Sequence, residues 1–84
     1  MGEREIGVTV RYFAMLREQR GASSEEMKVA PGTAGRLYAD LAERHGLSAP
    51  LTSLRIAVNH AWALASHPLA EGDIVAFIPP VSGG

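Results

Sequence analysis

The chain has 84 residues, of which 46% are hydrophobic and 20% are charged, and its formal net charge is −1. This composition is too apolar for a disordered chain and predicts one globular domain, and the near-neutral charge does not favour nucleic acid as a partner. Because there is no cysteine and no stretch of about 18 apolar residues, we exclude thiolate metal sites and disulfides and expect a cytoplasmic protein with no membrane partner.

The first third of the sequence predicts two strands separated by a short helix. Apolar residues alternate with others over 6–13, which predicts a strand with one face toward the core. Helix-forming residues occupy 14–20 and stop at Gly21. Residues 25–29 alternate again and predict a second strand, antiparallel to the first because the connection is short.

The main helix is predicted immediately after Pro31 and Gly32. Thr33 is a suitable N-cap, apolar residues recur at helical spacing over 34–45, and Gly46 follows as a C-terminal cap. Residues 47–53 show no clear period and are predicted to form a loop. We expect this helix to pack on the sheet.

The remaining pattern predicts three more strands. These cover 54–59, 62–65 and 74–78, with turns at 59–60 and 71–73 between them. One main helix crossing over a mixed sheet of four or five strands is an α+β roll. We therefore predict a single α+β domain.

Side chains that commonly carry enzyme chemistry do not form a set in this sequence. The three histidines lack the spacing of metal ligands, so we expect no metal site. Glu25 and Glu26 are adjacent and would point to opposite faces of a strand, so they cannot act as a carboxylate pair. A solvated helix face is expected for Arg17, Glu18 and Arg20.

The most informative segment is the C-terminal one, where the last strand runs into two prolines. We divide the chain into a body over 1–78 and a tail over 79–84 that reaches at most about 20 Å. Glycine has no Cβ, so a Gly-Gly end can enter a slot that other residues would block. We predict that Gly84 presents a reactive α-carboxylate and that the tail threads into a partner through Pro79, Pro80, Val81, Ser82 and Gly83. The alternative is a frayed terminus.

Strand parity predicts a partner-binding surface near the base of this tail. Phe13 and Ile78 fall on the outward positions of their strands, and Trp62 lies just after a turn. We expect Phe13, Trp62 and Ile78 to form one apolar patch with Arg17 at its rim, because aromatic residues are enriched at interfaces. The alternative is that Phe13 and Trp62 complete a small core.

Three segments carry a resemblance to a known family: 10–18 (VRYFAMLRE), 57–59 (AVN) and 72–84 (GDIVAFIPPVSGG). In these segments the chain resembles the sulfur-carrier small subunits of molybdopterin synthase. The resemblance implies the ubiquitin-like β-grasp roll, with a flexible Gly-Gly tail. It also implies that the chain acts as part of a sulfurtransferase complex and is not catalytic alone.

The resemblance further implies how the tail is used. An ATP-dependent enzyme would adenylate Gly84, and sulfur would displace AMP to leave a C-terminal thiocarboxylate, with no stably bound cofactor. The tail would then enter the large subunit of the synthase, within a heterotetramer of two small and two large subunits. There it would supply sulfur to a cyclic pyranopterin monophosphate, which becomes the molybdopterin dithiolene.

Three other functions are compatible with the same residues. A ubiquitin-like modifier would join Gly84 to a lysine of a target protein through the same adenylate. A passive interaction module would not need Gly83 and Gly84. A sulfur carrier could also serve a different pathway.

Overall fold

A computed structural model of the chain describes residues 4–80, which form five strands, two α-helices and a 3₁₀ helix. In chain order the elements are β1 (Ile6–Tyr12), α1 (Met15–Arg20), β2 (Ser24–Val29), α2 (Ala34–His45), the 3₁₀ helix (Leu51–Ser53), β3 (Arg55–Val58), β4 (Ala61–Ala63) and β5 (Ile74–Ile78). In this part of the chain no helix combines the length and the apolar character needed to cross a membrane.

The strands form one mixed sheet in the order β2-β1-β5-β3-β4. The first and last strands, β1 and β5, are parallel neighbours, and the other pairs are antiparallel. Tyr12 at the end of β1 pairs with Phe77 near the end of β5. The chain therefore leaves β1 and β5 at the same end of the sheet. The predicted α+β class and mixed sheet are confirmed.

Helix α2 covers the inner face of the sheet and begins and ends where the sequence predicts. The Thr33 hydroxyl accepts a hydrogen bond from the backbone N–H of Arg36 at 3.2 Å, and Gly46 ends the helix in the left-handed conformation. The Tyr38 ring packs on Phe77 of β5, with the ring centroids 5.1 Å apart. These contacts place one apolar core between α2 and the sheet.

The first turn of α2 approaches the segment after β4 closely. The backbone N–H of Gly35 donates to the carbonyl of Ala65 at 2.8 Å. A Cβ on Gly35 would lie 2.9 Å from the Cβ of Ala65 and 3.1 Å from its carbonyl oxygen. The absence of a side chain at this position is therefore what allows the helix to sit against Ala65.

The segment predicted as a loop over 47–53 is more ordered than its sequence pattern suggests. Leu47 and Ala49 are buried, and the Tyr38 hydroxyl donates to the Ala49 carbonyl at 2.7 Å. The last three residues of the segment form the 3₁₀ helix. Tertiary contacts, which have no local period, order this connection.

Candidate functional site

The outer face of the sheet carries the residues that the sequence analysis assigned to a partner. Directly paired residues on neighbouring strands project to the same face. One row crosses all five strands on the side opposite α2, and it consists of Ser24, Arg11, Ala76, Ala57 and Trp62. This row lies close to the end of the sheet at which the tail begins.

The next row toward the tail contains two of the predicted patch residues. Ile78 pairs with Arg55, and Phe13 directly follows Tyr12, the partner of Phe77. The register therefore places Phe13 and Ile78 side by side on the outer face, and both side chains are half-buried. Phe13, Ile78 and Trp62 share one face. We call this surface the outer patch, and it also includes Arg11, Arg55, Ala57 and Ala76.

Trp62 is the most exposed aromatic residue among residues 4–80. It lies on β4 at the edge of the sheet, and 67% of its surface is accessible. The core cluster includes neither Trp62 nor Phe13. The alternative interpretation, in which these two aromatics complete the core, is therefore wrong.

Two arginines that the sequence analysis did not assign to the site are stacked on these aromatic rings. The guanidinium carbon of Arg11 lies 5.2 Å from the centroid of the Phe13 ring, and that of Arg55 lies 5.6 Å from the Trp62 ring. Both distances are typical of cation–π contacts. The alternating pattern of the sequence predicts that Arg11 faces outward. The stacking of Arg55 on Trp62 depends on the β3–β4 register, which the sequence pattern does not give.

The centre of the outer patch is shallow because its side chains are small. Ala76 and Ala57 are directly paired between β5 and β3, and Arg11 and Trp62 occupy the positions on either side of them. Around β4 the apolar surface continues into a groove of about 330 Å³, which is lined in part by Leu64 and Trp62. The patch therefore has an apolar floor between two arginine–aromatic pairs.

A tight turn directs the chain away from the sheet immediately after Phe13. The backbone N–H of Leu16 donates to the Phe13 carbonyl at 3.1 Å, and Ala14 has φ 53° and ψ −128°. These angles match the first central position of a type II′ turn, which favours glycine. Arg17 follows on the exposed side of α1, and its side chain makes no ion pair within residues 4–80.

A hydrogen-bond network fixes the C-terminal end of α1. Glu25 accepts from the Tyr12 hydroxyl at 2.6 Å and from two Arg20 nitrogens at 2.9 and 2.7 Å. The hydrogen bonds from Arg20 lower the pKa of Glu25, while burial and the bond to Glu25 raise the pKa of Tyr12. The prediction that Arg20 belongs to a solvated face is therefore wrong, because Arg20 closes this network.

The tail begins at the centre of the same end of the sheet. Pro79 is buried and Pro80 is exposed. The predicted reactive residue, Gly84, lies outside the described residues, as do three of the residues predicted to thread into a partner, Val81, Ser82 and Gly83. Within residues 4–80, no group of three or more His, Asp or Glu side chains could hold a metal ion.

The sheet order, the single covering helix and the strand that leads into the tail define a β-grasp domain of the ubiquitin-like class, as the resemblance implied. The ThiS family model matches residues 10–84, so the chain belongs to the ThiS family.

Curated relatives carry names that agree with the predicted family. The molybdopterin synthase sulfur carrier subunit of Escherichia coli (strain K12) is 36% identical over 80 residues, which cover 92% of this chain and 99% of that one. The subunit of the same name from Mycobacterium tuberculosis (strain H37Rv) is 39% identical over 82 residues, covering 94% and 99%. A solved complex of subunits 1 and 2 of the molybdopterin-converting factor from Helicobacter pylori 26695 contains a chain 30% identical to this one. It has a TM-score of 0.64, covering 94% of this chain and 100% of that one.

Proposed function

We propose that this chain is a sulfur carrier that acts with the large subunit of a molybdopterin synthase. The observation that carries the proposal is the position of the C-terminal segment. The central strand, β5, is followed by two prolines and a sequence that ends in Gly-Gly, and the chain leaves β5 beside an exposed aromatic patch. The relatives named as molybdopterin synthase sulfur carrier subunits support the same role. The solved complex of the two converting-factor subunits supports the large subunit as a partner.

In this proposal the chemistry takes place on the Gly84 carboxylate. A carboxylate oxygen attacks the α-phosphate of ATP on an adenylating enzyme, which releases pyrophosphate and leaves an acyl-adenylate. A sulfur nucleophile supplied there displaces AMP, and the product is a C-terminal thiocarboxylate. The anionic sulfur is a better nucleophile than the oxygen it replaces, so the activated tail can deliver sulfur to the cyclic pyranopterin monophosphate. Attack by this sulfur forms a thioester between the tail and the pterin, and hydrolysis of its acyl–sulfur bond leaves the sulfur on the pterin and returns the Gly84 carboxylate.

The body of the protein supplies binding and position, whereas the partners supply acid–base chemistry. Pro79 is buried and anchors the start of the tail, and Pro80 is the first exposed residue of the tail. From Pro80 to Gly84 an extended chain reaches at most about 17 Å. The outer patch lies at the base of this tail, so a partner that binds the patch would receive the tip within that distance. Two carriers and two large subunits would form the complete synthase.

Intact-mass analysis of the protein purified from its own cells tests this proposal. We expect a species in which one oxygen is replaced by one sulfur, and fragmentation should place the change at Gly84. Replacement of Gly83 by alanine should abolish this species without unfolding the protein. Gly32→Ala is the matched control, because a Cβ there meets nothing closer than Arg36 Cγ at 4.0 Å.

The mass measurement also separates the proposal from the two other classes of function. A ubiquitin-like modifier would appear as an isopeptide bond between Gly84 and lysines of other proteins, with no sulfur-containing species. A passive interaction module would show no mass change and would keep its activity after deletion of Gly83 and Gly84. Either result would overturn the sulfur-carrier proposal. Failure to rescue a cell that lacks its molybdopterin carrier would instead point to a different sulfur pathway.

A further inference from the structure

The outer patch contains two cationic groups that the fold itself leaves unused. Within residues 4–80 the ion-paired arginines are Arg20, bound to Glu25, and Arg36, bound to Asp40. Arg11 and Arg55 have no carboxylate partner there, and neither guanidinium donates a hydrogen bond in that range. Each guanidinium therefore retains about five N–H donors for another molecule.

Stacking holds both guanidinium groups in place before any partner arrives. Arg11 lies over the Phe13 ring and Arg55 over the Trp62 ring, at 5.2 and 5.6 Å. A stacked guanidinium keeps its N–H edge available while losing side-chain freedom, so less entropy is lost when it binds a carboxylate. The contact itself stabilises an exposed site only slightly.

The spacing of the two pairs determines what can lie between them. Arg11 is opposite Ala76 on β5, whereas Arg55 is opposite Ile78, so the two arginines flank β5 from β1 and β3. The backbones of Arg11 and Arg55 are two strand spacings apart across the sheet and two residues apart along it, which corresponds to about 12 Å. This backbone separation is similar to the diameter of a helix, about 10 Å. The surface between the two arginines is apolar and consists of Ala57, Ala76 and Ile78.

We propose that Arg11 and Arg55 determine partner specificity and that they select a protein surface with an apolar ridge flanked by two carboxylates. The inference rests on the proposed function, since the partner concerned is the large subunit that receives the tail. The ridge packs on Ala57, Ala76 and Ile78, and each carboxylate accepts hydrogen bonds from one stacked guanidinium. The acidic residues Glu26 and Glu71 lie beside Thr9 and Gly7, toward the opposite end of β1, and neither forms an ion pair with Arg11 or Arg55.

The test is isothermal titration of the large subunit with the full chain at low and at physiological salt. We expect R11Q/R55Q to weaken binding by about 10- to 100-fold and to reduce its salt dependence. The matched control is R4Q/R44Q, which changes the net charge equally but alters exposed residues outside the outer patch. The control should bind within about twofold of the wild type. R11K/R55K keeps the charge but loses the planar fork, so we expect an intermediate affinity.

The outcomes distinguish this inference from the proposed function. If R11Q/R55Q binds as tightly as the wild type and has an unchanged melting temperature, the inference is wrong and the sulfur-carrier role stands. An equal loss in R4Q/R44Q would also overturn the inference, because it would indicate a general charge effect. If the wild type carries the sulfur-containing species but does not bind the large subunit, this specificity is refuted while the carrier chemistry remains. If that species is absent as well, both proposals fail.

Discussion

Replacement of Trp62 by alanine separates the stability of the fold from its binding function. About a third of this side chain is buried in the free protein, since 67% of its surface is exposed. For an aromatic side chain of about 200 Å², the buried part amounts to about 70 Å², or about 1.7 kcal/mol at 25 cal/mol/Å². Because such area estimates are upper bounds, we expect a destabilisation of about 1–1.5 kcal/mol and a melting temperature lower by about 4–12 °C.

Binding of the large subunit should respond more strongly than folding. If a partner covers the remaining two-thirds of the ring, about 130 Å² of apolar surface is buried, which corresponds to about 3 kcal/mol. We therefore expect Trp62→Ala to weaken binding on the order of 100-fold, as measured by titration calorimetry with a thermal melt of the same sample. Phe77→Ala is the contrasting control, because Phe77 is fully buried and its loss should cost about 3–5 kcal/mol of stability. Unchanged binding by the Trp62 variant would refute the outer patch as an interface.

Three further substitutions test the local structure. Ala14→Gly should raise the free energy of unfolding by about 1 kcal/mol in a denaturant titration, because it removes the strain at φ 53°. The control Ala61→Gly, at a position without positive φ, should lower the free energy of unfolding. A lower free energy of unfolding in both variants would contradict the strained turn at Ala14. Gly35→Ala should destabilise the fold by about 1–3 kcal/mol in the same assay, because its Cβ would lie 2.9 Å from that of Ala65; a neutral effect would mean that α2 shifts freely. Because the pKa of Glu25 is lowered in the folded protein, its ionised carboxylate stabilises the fold at pH values above its ordinary pKa of 4.5. This stabilisation is lost as the pH falls through the pKa of the folded state. Glu25→Gln should therefore flatten the acid side of the stability profile, and a profile like that of the wild type would exclude Glu25 as its source.

The elements predicted with accurate boundaries are those whose signals are local. Thr33 and Gly46 are adjacent in sequence to the helix they cap, so their roles could be inferred without tertiary information. The same applies to the two-residue turn at Asn59 and His60, where both residues have positive φ. The sequence pattern does not predict the 3₁₀ helix because its first residue, Leu51, packs against the core through tertiary contacts that have no local period.

The outer patch was only partly predictable, for a related reason. Phe13 and Ile78 could be selected from strand parity, and Trp62 from its position just after a turn, which are local properties. Arg55 could not, because its relation to Trp62 depends on which residues of β3 and β4 pair. Arg20 was misassigned since its partner, Glu25, lies on a different element.

The parallel pairing of the first and last strands has a mechanical consequence. The tail continues β5, which lies between β1 and β3 at the middle of the sheet. A force applied at Pro79 along the direction of β5 acts parallel to these strands, so it loads the hydrogen bonds on both sides of β5 in shear at the same time. A partner that applies force to the tail would therefore have to break these hydrogen bonds together before the domain unfolds.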